Sequence, residues 1–263
     1  QTKEEALEGL KEMMIDQKFG KSGTKVVIEE FLTGPEVSVL SFCDGKTVRP
    51  MVSAQDHKRA YDGDQGLNTG GMGTFSPSRI YTKEVAEICQ KEIFEPTVAA
   101  MAKEGRPFVG VLYFGLMLTP KGMKVIEYNA RFGDPETQVI LPRLKTDLLS
   151  IMEACVDGTL DQMDIEWYDN AAVCVVEASG GYPESYEKGF EITGLEEAAK
   201  RDDIVVFHAG TKAENGKFYT NGGRVLGITG IGKDLQEAIS IAYEGVELVH
   251  FEKKHFRHDI GIK

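Results

Sequence analysis

Val125-Ile126-Glu127-Tyr128-Asn129-Ala130-Arg131, running on into Phe132-Gly133-Asp134-Pro135-Glu136, is the most informative run in the chain. Its β-branched start fits a strand, and strand alternation places Glu127 and Asn129 on one face, with Arg131 continuing that face as the strand ends. A carboxylate and an amide oxygen two residues apart are hard oxygen ligands about one side-chain spacing from each other, suited to a Mg²⁺ ion that also holds phosphate oxygens. An arginine one step further is placed to neutralise charge on a transferring phosphoryl group. A half-buried strand with a merely solvated face shows the same alternation, and on spacing alone that plainer reading has the edge.

Outward from this run the pattern is mixed. Phe108 to Leu118 and Met123 to Asn129 read as two strands joined by a Pro120-Lys121-Gly122 turn. Downstream, Val139, Ile140, Leu144, Leu148, Ile151, Met152 and Cys155 recur at helical intervals, with a break at Pro142 and an end at Gly158. Upstream, Thr82 to about Glu104 predicts a long helix kinked at Pro96. The chain begins with capping-box spacing at Thr2-Lys3-Glu4-Glu5 and an amphipathic helix to about residue 16. Lys25 to Leu32 (KVVIEEFL) reads as a strand, and Glu36 to Cys43 and Lys46 to Ser53 flank the hairpin dipeptide Asp44-Gly45, giving a meander. Asp161 to Asn170 is the best candidate linker. Beyond it, Ala171 to Ala178, Ile204 to Ala209 and Phe218 to Thr229 (interrupted at Gly222-Gly223) predict strands, and Asp234 caps a last helix through Val249. Strands and helices in this order indicate an α+β architecture with two lobes.

Composition excludes several classes. The 263 residues carry 42 acidic and 30 basic side chains, a net charge of −12, with 41% hydrophobic residues. That is enough apolar material for a core. An acidic chain without a Lys/Arg block lacks the footprint of a nucleic-acid-binding protein. No apolar stretch approaches the roughly 20 residues needed to cross a bilayer, and QTKEEALEGL has no signal-peptide character, so no membrane partner and a cytoplasmic location are expected. Cys43, Cys89, Cys155 and Cys174 form no CxxC pair and read as free buried thiols. His250, His255 and His258 sit among Lys253, Lys254 and Arg257 and read as a solvated surface. HExxH and GxSxG patterns are absent.

Two further stretches bear on chemistry. Residues 54 to 75 are the least regular part, with five glycines between Gly63 and Gly73 and His57, Lys58 and Arg59 upstream. The stretch fits neither GK[ST] nor GxGxxG and reads as a flap whose backbone N–H groups close over an anion, or as a long surface hairpin, with function modestly preferred. Glu29 and Glu30 interrupt an apolar run just before Phe31-Leu32, and Glu36 follows Gly34-Pro35. Backbone groups at such a strand exit can pair with an adenine edge, and a carboxylate a few residues on can take ribose hydroxyls; an edge strand protected by charges explains the same residues.

Taken together, VIEYNARFGDPE, NTGGMG, QDHKR, IEEFL, FHAGT and TNGGRVL, in a chain that reaches a terminal HDIG, resemble the phosphoribosylamine glycine ligase family of ATP-grasp enzymes of purine biosynthesis. The similarity covers essentially the whole chain. The resemblance implies an ATP-grasp fold, incomplete but with its larger subdomain present, in residues 1–166, followed by a small mixed α/β C-terminal domain in 167–263. It implies that glycine's carboxylate attacks the γ-phosphate of ATP to give glycyl phosphate, and that the amine of 5-phosphoribosylamine then displaces phosphate. On the matching positions, Glu127 and Asn129 are ligands of Mg²⁺ or Mn²⁺, and Arg131 faces the transferring phosphoryl group. The Glu30 carbonyl and the Leu32 N–H meet adenine, and Glu36 takes the ribose. The loop Asp56 to Gly73, with Lys58 and Gly71, and the segment Gly133 to Glu136, with Asp134, line the glycine and phosphoribosylamine end, where Arg224 is an anion contact. Many relatives carry another acidic metal ligand where this chain has Tyr113.

The resemblance also implies something missing. Family members are longer, with an N-terminal domain and a small subdomain that carries a glycine-rich phosphate loop. This chain opens on Gln1 without an initiator Met, so residues 1–30 are expected to be the remnant of that subdomain and the chain to have little activity alone. The rival expectations are another ATP-grasp carboxylate-amine ligase and a non-catalytic module that binds nucleotide or a partner chain.

Overall fold

A computed structural model describes residues 2–262, so Gln1, where the chain was expected to be cut, lies outside the described residues. The chain forms two compact units, residues 1–33 and 34–263. In the first, α1 (Lys3–Met14) starts at the expected capping box: the Glu5 N–H donates to Thr2 Oγ1 at 3.2 Å, and the Thr2 N–H donates to Glu5 Oε2 at 3.0 Å. Lys25 to Leu32 does not form the expected strand. Its Val27, Ile28 and Phe31 are 79–87% exposed, and no strand among the described residues pairs with it. β-branched composition expresses a fit to a half-buried sheet surface, and without a pairing partner it does not make a strand.

The larger unit is built on two main antiparallel sheets. β1 (Glu36–Asp44) and β2 (Val48–Pro50) make the hairpin expected at Asp44-Gly45, Asp44 Oδ1 accepting from the N–H groups of Lys46 and Thr47. The stretch expected to be irregular contains four short strands, β3 (Gln55–Asp56), β4 (Arg59–Tyr61), β5 (Gln65–Asn68) and β6 (Gly73–Ser76). After α2 (Lys83–Cys89), a single π turn widens the helix over Gln90–Phe94 before α3 (Glu95–Lys103). The irregularity therefore precedes Pro96, which sits in the first turn of α3, where its missing N–H is tolerated. Next come β7 (Val109–Thr119) and β8 (Gly122–Asn129), completing a sheet in the order β2-β1-β7-β8. One face of that sheet packs on α2 and α3 through Phe94, Val98, Leu112, Phe114 and Leu116, all nearly inaccessible.

α4 (Thr137–Ile140) breaks before Pro142, and α5 (Leu148–Asp157) covers the other face of the first sheet through Ile151 and Cys155. The expected linker 161–170 folds back instead of spanning open space: Trp167 bridges to Leu144, and Arg143 Nε donates to Asn170 Oδ1 at 3.3 Å. β9 (Ala171–Ser179) is the centre of the second sheet and buried at every residue. The remaining elements are β10 (Glu191–Ile192), α6 (Leu195–Ala198), β11 (Ile204–His208), β12 (Thr211–Glu214), β13 (Lys217–Thr220), β14 (Arg224–Gly232), α7 (Leu235–Leu248) and β15 (Lys254–His255). The second sheet runs β11-β14-β9-β6-β3, with β15 also on β9, so two strands from residues 55–76 extend a sheet otherwise made after residue 170. β13 and β14, read as consecutive strands, enter different sheets, β13 pairing with β10 and β12. α7 packs on this sheet through Ala238, Ala242 and Val246. All four cysteines are buried and free, and no helix among the described residues is long and apolar enough to cross a membrane.

Candidate active site

Strand register sets the site. Tyr113 lies opposite Asn129 and Gly115 opposite Glu127, and a bulge then shifts the pairing so that Leu116 faces Val125. Unbroken alternation puts Val125 and Glu127 on the same face. The bulge separates them: Val125 joins the apolar core under α2 and α3, and Glu127 turns to the open face. Gly115 has a reason to be glycine here, since a Cβ would stand 2.9 Å from Glu127 Cγ. Tyr128, between the two polar residues, points to the helical side, its ring 5.5 Å from Phe114 and its hydroxyl 3.2 Å from Thr97.

On the open face Glu127, Asn129 and Arg131 line a cleft of about 180 Å³ together with Lys58, Thr69-Gly70 and Asp134. Arg131 donates to the Phe132 carbonyl at 2.8 Å and is otherwise exposed. Lys58 Nζ pairs with Glu36 Oε2 at 2.6 Å. Burial works against the lysine's charge, but the Glu36 hydrogen bond and charge, with Asp56 and Glu127 further off, outweigh it and raise its pKa. Arg224, at the start of β14, donates from Nη1 to the Gly70 carbonyl at 2.8 Å and the Asp134 carbonyl at 3.2 Å, and pairs with Asp134 Oδ1 at 3.1 Å. Gly71 adopts φ +112°, packed so close to Asp56 and Pro135 that no side chain fits.

Beneath them is a polar floor that the sequence reading placed only within two longer segments. Glu136 is buried and accepts from Ser38 Oγ at 2.9 Å and Tyr113 Oη at 3.1 Å, the two hydroxyls being 2.8 Å apart. Tyr113, where relatives were expected to carry an acid, thus serves Glu136. Asp56 faces the same cleft, and burial first, then the Glu136 charge, hold its carboxyl well above the usual range. Asp56 Oδ1 is shielded from solvent and has no hydrogen-bond partner.

The β4–β5 hairpin that leads into Thr69-Gly70 is tied to the C-terminal tail. Arg257, fully buried, donates to Asp64 Oδ1 at 3.0 Å and to the Arg59 carbonyl at 3.1 Å while pairing with Asp259. Asp259 Oδ2 accepts from the Gly63 N–H, His258 pairs with Asp62 at 3.0 Å, and His255 Nε2 donates to the Ala60 carbonyl at 2.8 Å. The tail clamps the hairpin through Arg257 and His255, while His250 and His258 stay exposed, as expected of a solvated surface. The sequence signal available was charge complementarity between Asp62, Asp64 and the basic run His255 to His258.

Of the residues expected at the site, Glu36, Lys58, Gly71, Glu127, Asn129, Arg131, Asp134 and Arg224 gather in or directly around this cleft. Glu30 and Leu32 belong to the smaller unit.

Fold and site together define an ATP-grasp protein: residues 1–137 match the family model described as phosphoribosylglycinamide synthetase, ATP-grasp (A) domain. Residues 172–263 match the C-domain model of the same family. The chain belongs to the phosphoribosylglycinamide synthetase family. It is 54% identical to a phosphoribosylamine–glycine ligase of Synechocystis over 100% of its own length and 62% of that protein's. Among solved structures, phosphoribosylamine–glycine ligase of Thermotoga maritima superposes with a TM-score of 0.84 at 38% identity, covering 98% of this chain and 63% of that one. A biotin carboxylase domain of Hydrogenobacter thermophilus 2-oxoglutarate carboxylase, solved with MgADP and bicarbonate, shares the fold at TM-score 0.59 and 13% identity over 87% of this chain and 48% of that one. The chain thus spans about three fifths of the length of the single-function relatives it matches.

Proposed function

We propose that the protein of which this chain forms part uses ATP to join glycine to 5-phosphoribosylamine, a step of purine biosynthesis carried out in the cytoplasm. The supporting observation is the convergence of Glu127, Asn129 and Arg131 with Lys58 and the Arg224–Asp134 pair on one cleft, in a chain of this family. A glycine carboxylate oxygen attacks the γ-phosphorus of ATP, the bond to the ADP oxygen breaks, and glycyl phosphate results. The phosphoribosylamine nitrogen then attacks the glycyl carbonyl carbon and phosphate leaves. Activation is needed because a free carboxylate is a poor acylating agent.

Glu127 and Asn129 fit a divalent cation as a two-ligand site. Among the described residues no three His, Cys, Asp or Glu side chains are grouped as a metal cage, and the Glu127 carboxylate with the Asn129 amide oxygen would hold a hard cation. The chemistry such an ion, Mg²⁺ or Mn²⁺, would supply there is neutralisation of phosphate charge. Arg131 holds the transferring phosphoryl group from the end of β8. Glu36 reaches the ribose, exchanging its contact with Lys58, while the Glu30 carbonyl and Leu32 N–H take the adenine edge. Lys58, Gly71, Asp134 and Arg224 form the substrate end.

The same reading divides the chain into an ATP-grasp region, 1–166, whose first 30 residues belong to the smaller subdomain, and a C-terminal domain, 167–263. It assigns the chain little activity without the preceding part of the enzyme, because positioning of the α- and β-phosphates is a large share of phosphoryl-transfer catalysis. The deciding experiment measures ADP release by the full-length protein. Release that requires both glycine and phosphoribosylamine is expected; release only with a different carboxylate would overturn the assignment.

A further inference from the structure

We infer that Tyr182 is a positioning residue for phosphoribosylamine: its hydroxyl, together with Arg224, fixes the backbone of Gly70 at the rim of the cleft. The inference rests on the function proposed above and adds a residue to its substrate end.

The backbone of the flap singles out Gly70. The N–H groups of Thr69 and Met72 donate to the carbonyls of Lys58 and His57, each at 2.8 Å, and that of Gly71 donates to Thr69 Oγ1 at 3.0 Å. These partners all belong to the flap itself. The Gly70 N–H instead reaches out of it, donating to Tyr182 Oη at 3.1 Å, and the Gly70 carbonyl accepts from Arg224 Nη1 at 2.8 Å. The N–H groups from Thr69 to Met72, expected to close over an anion, are therefore already engaged. The tip of the flap takes its orientation from two side chains of the C-terminal part of the chain.

These ties matter because of what they hold. Gly70 is exposed and is followed by a second glycine, the residue type with the most backbone freedom to lose. Tyr182 is itself firmly placed. Just after β9 its N–H donates to the Ser179 carbonyl at 3.1 Å, while Ser179 donates from its N–H to the Gly223 carbonyl and from Oγ to the Gly222 carbonyl, both at 2.8 Å. The Tyr182 ring lies so close over Gly223 that a side chain there would overlap it. Arg224 is the next residue. One turn, Gly222-Gly223-Arg224, thus places both the donor to the Gly70 carbonyl and the acceptor of its N–H. Ordering the flap before substrate arrives removes that entropic cost from the binding step. The effect falls on phosphoribosylamine because Gly70 stands at the exposed rim beside Arg224, the anion contact, whereas Glu127 and Asn129 serve the nucleotide from β8.

The test uses the full-length enzyme carrying Tyr182→Phe, which removes only the hydroxyl and keeps the ring on Gly223. KM for phosphoribosylamine is expected to rise about 3- to 10-fold, the range for one net hydrogen bond, with kcat and the KM values for ATP and glycine within twofold. Tm should stay within about 2 °C of the parent, as for a surface substitution that leaves packing intact. Hydrogen exchange read by mass spectrometry should be faster in the segment carrying Thr69 to Met72, in Tyr182→Phe and in Arg224→Ala alike. A double-mutant cycle separates positioning from mere structure: both side chains order the same glycine, so Tyr182→Phe should change KM for phosphoribosylamine less than twofold once Arg224 is alanine. Independent effects of the two substitutions overturn the inference, since the hydroxyl then acts on substrate directly. An unchanged KM for phosphoribosylamine in Tyr182→Phe, or a rise confined to KM for glycine, overturns it as well, and each of these outcomes leaves the function standing. Absence of phosphoribosylamine dependence in the parent overturns the functional reading and the inference with it.

Discussion

Arg224 Nη1 lies 3.1 Å from Asp134 Oδ1, so the first residue of a strand in the second sheet is tied to the loop that leaves the first. The same guanidinium nitrogen takes the carbonyls of Gly70 and Asp134, which binds three separate chain segments at the cleft.

Replacing Arg224 by alanine is expected to lower kcat/KM for phosphoribosylamine by roughly 10- to 100-fold in the full-length enzyme, since the Gly70 and Asp134 loops lose their common donor. Stability should fall by only about 1 kcal/mol, because Asp134 is half exposed and solvent screens the pair. Arg224→Lys should recover little, as an ammonium cannot reproduce the fork. Steady-state kinetics alongside urea unfolding checks both parts.

Glu127→Ala is expected to leave the unfolding free energy within about 0.5 kcal/mol of the parent, the side chain being exposed at the end of β8. Turnover should nonetheless drop by about 100-fold or more, as for removal of a group that stabilises charge on the transferring phosphoryl. Calorimetric titration of both proteins with MgATP reads the cause, with the heat of binding expected to vanish in the variant. Equal heats would detach Glu127 from the nucleotide.

Two buried groups tilt the pH profile of stability in opposite senses. Burial pushes Glu177 up to about 7 from an ordinary 4.5, against the pull of Lys254 at 2.8 Å. Its contribution is complete below about 4.5 and is lost as pH rises towards 7. His57 is held down at about 4 from an ordinary 6.5, by burial first and then by Arg257. Its contribution is complete above about 6.5 and is lost as pH falls towards 4. Between these limits each slope is at most about 1.4 kcal/mol per pH unit, and they offset one another. Glu177→Gln should therefore expose a stability that climbs from pH 4 to 6.5, and His57→Phe one that declines from pH 4.5 to 7. Denaturant unfolding at half-unit pH steps distinguishes these outcomes; parallel profiles for both variants would refute the assignment.

Gly230 is where β14 meets α7, and a Cβ there would overlap the Ala242 nitrogen and the Ala238 carbonyl oxygen. Both obstacles are helix backbone, which cannot yield locally, so Gly230→Ala should destabilise by about 1–3 kcal/mol or displace α7 from the sheet. Chemical denaturation is the measurement. An unchanged midpoint would mean that the strand and helix have room the packing does not show.

Much of the architecture was legible because local chemistry declares it. The capping box at Thr2 and Glu5, the Asp44-Gly45 hairpin and the Asp234 cap each make their own hydrogen bonds, and the structure places each where the sequence does. The polar face of β8 was legible for Glu127 and Asn129 but not for Val125, because the bulge that separates them depends on the partner strand and leaves no mark in β8 itself. Lys25 to Leu32 failed for the complementary reason: a strand needs a neighbour, and local composition does not supply one. Asp134 and Arg224 came from family resemblance alone, and Lys58 from the flap reading beside it, since the three lie far apart in sequence and only the crossing of the two sheets brings them together. The Asp56–Glu136 floor was the hardest to see, because its character comes from burial and mutual repulsion, and neither acid is unusual where it stands in the chain.

The clamp between the tail and the β4–β5 hairpin sets an order of events during synthesis. Arg257 reaches Asp64 across 193 residues of sequence. A ribosome makes the hairpin 193 residues before its tether, so over that interval the hairpin lacks the Arg257 clamp. A nascent chain arrested between Arg224 and Arg257 carries every side chain of the phosphoryl-handling strand and the Arg224 tie to Gly70, but not the clamp on the hairpin that leads into it.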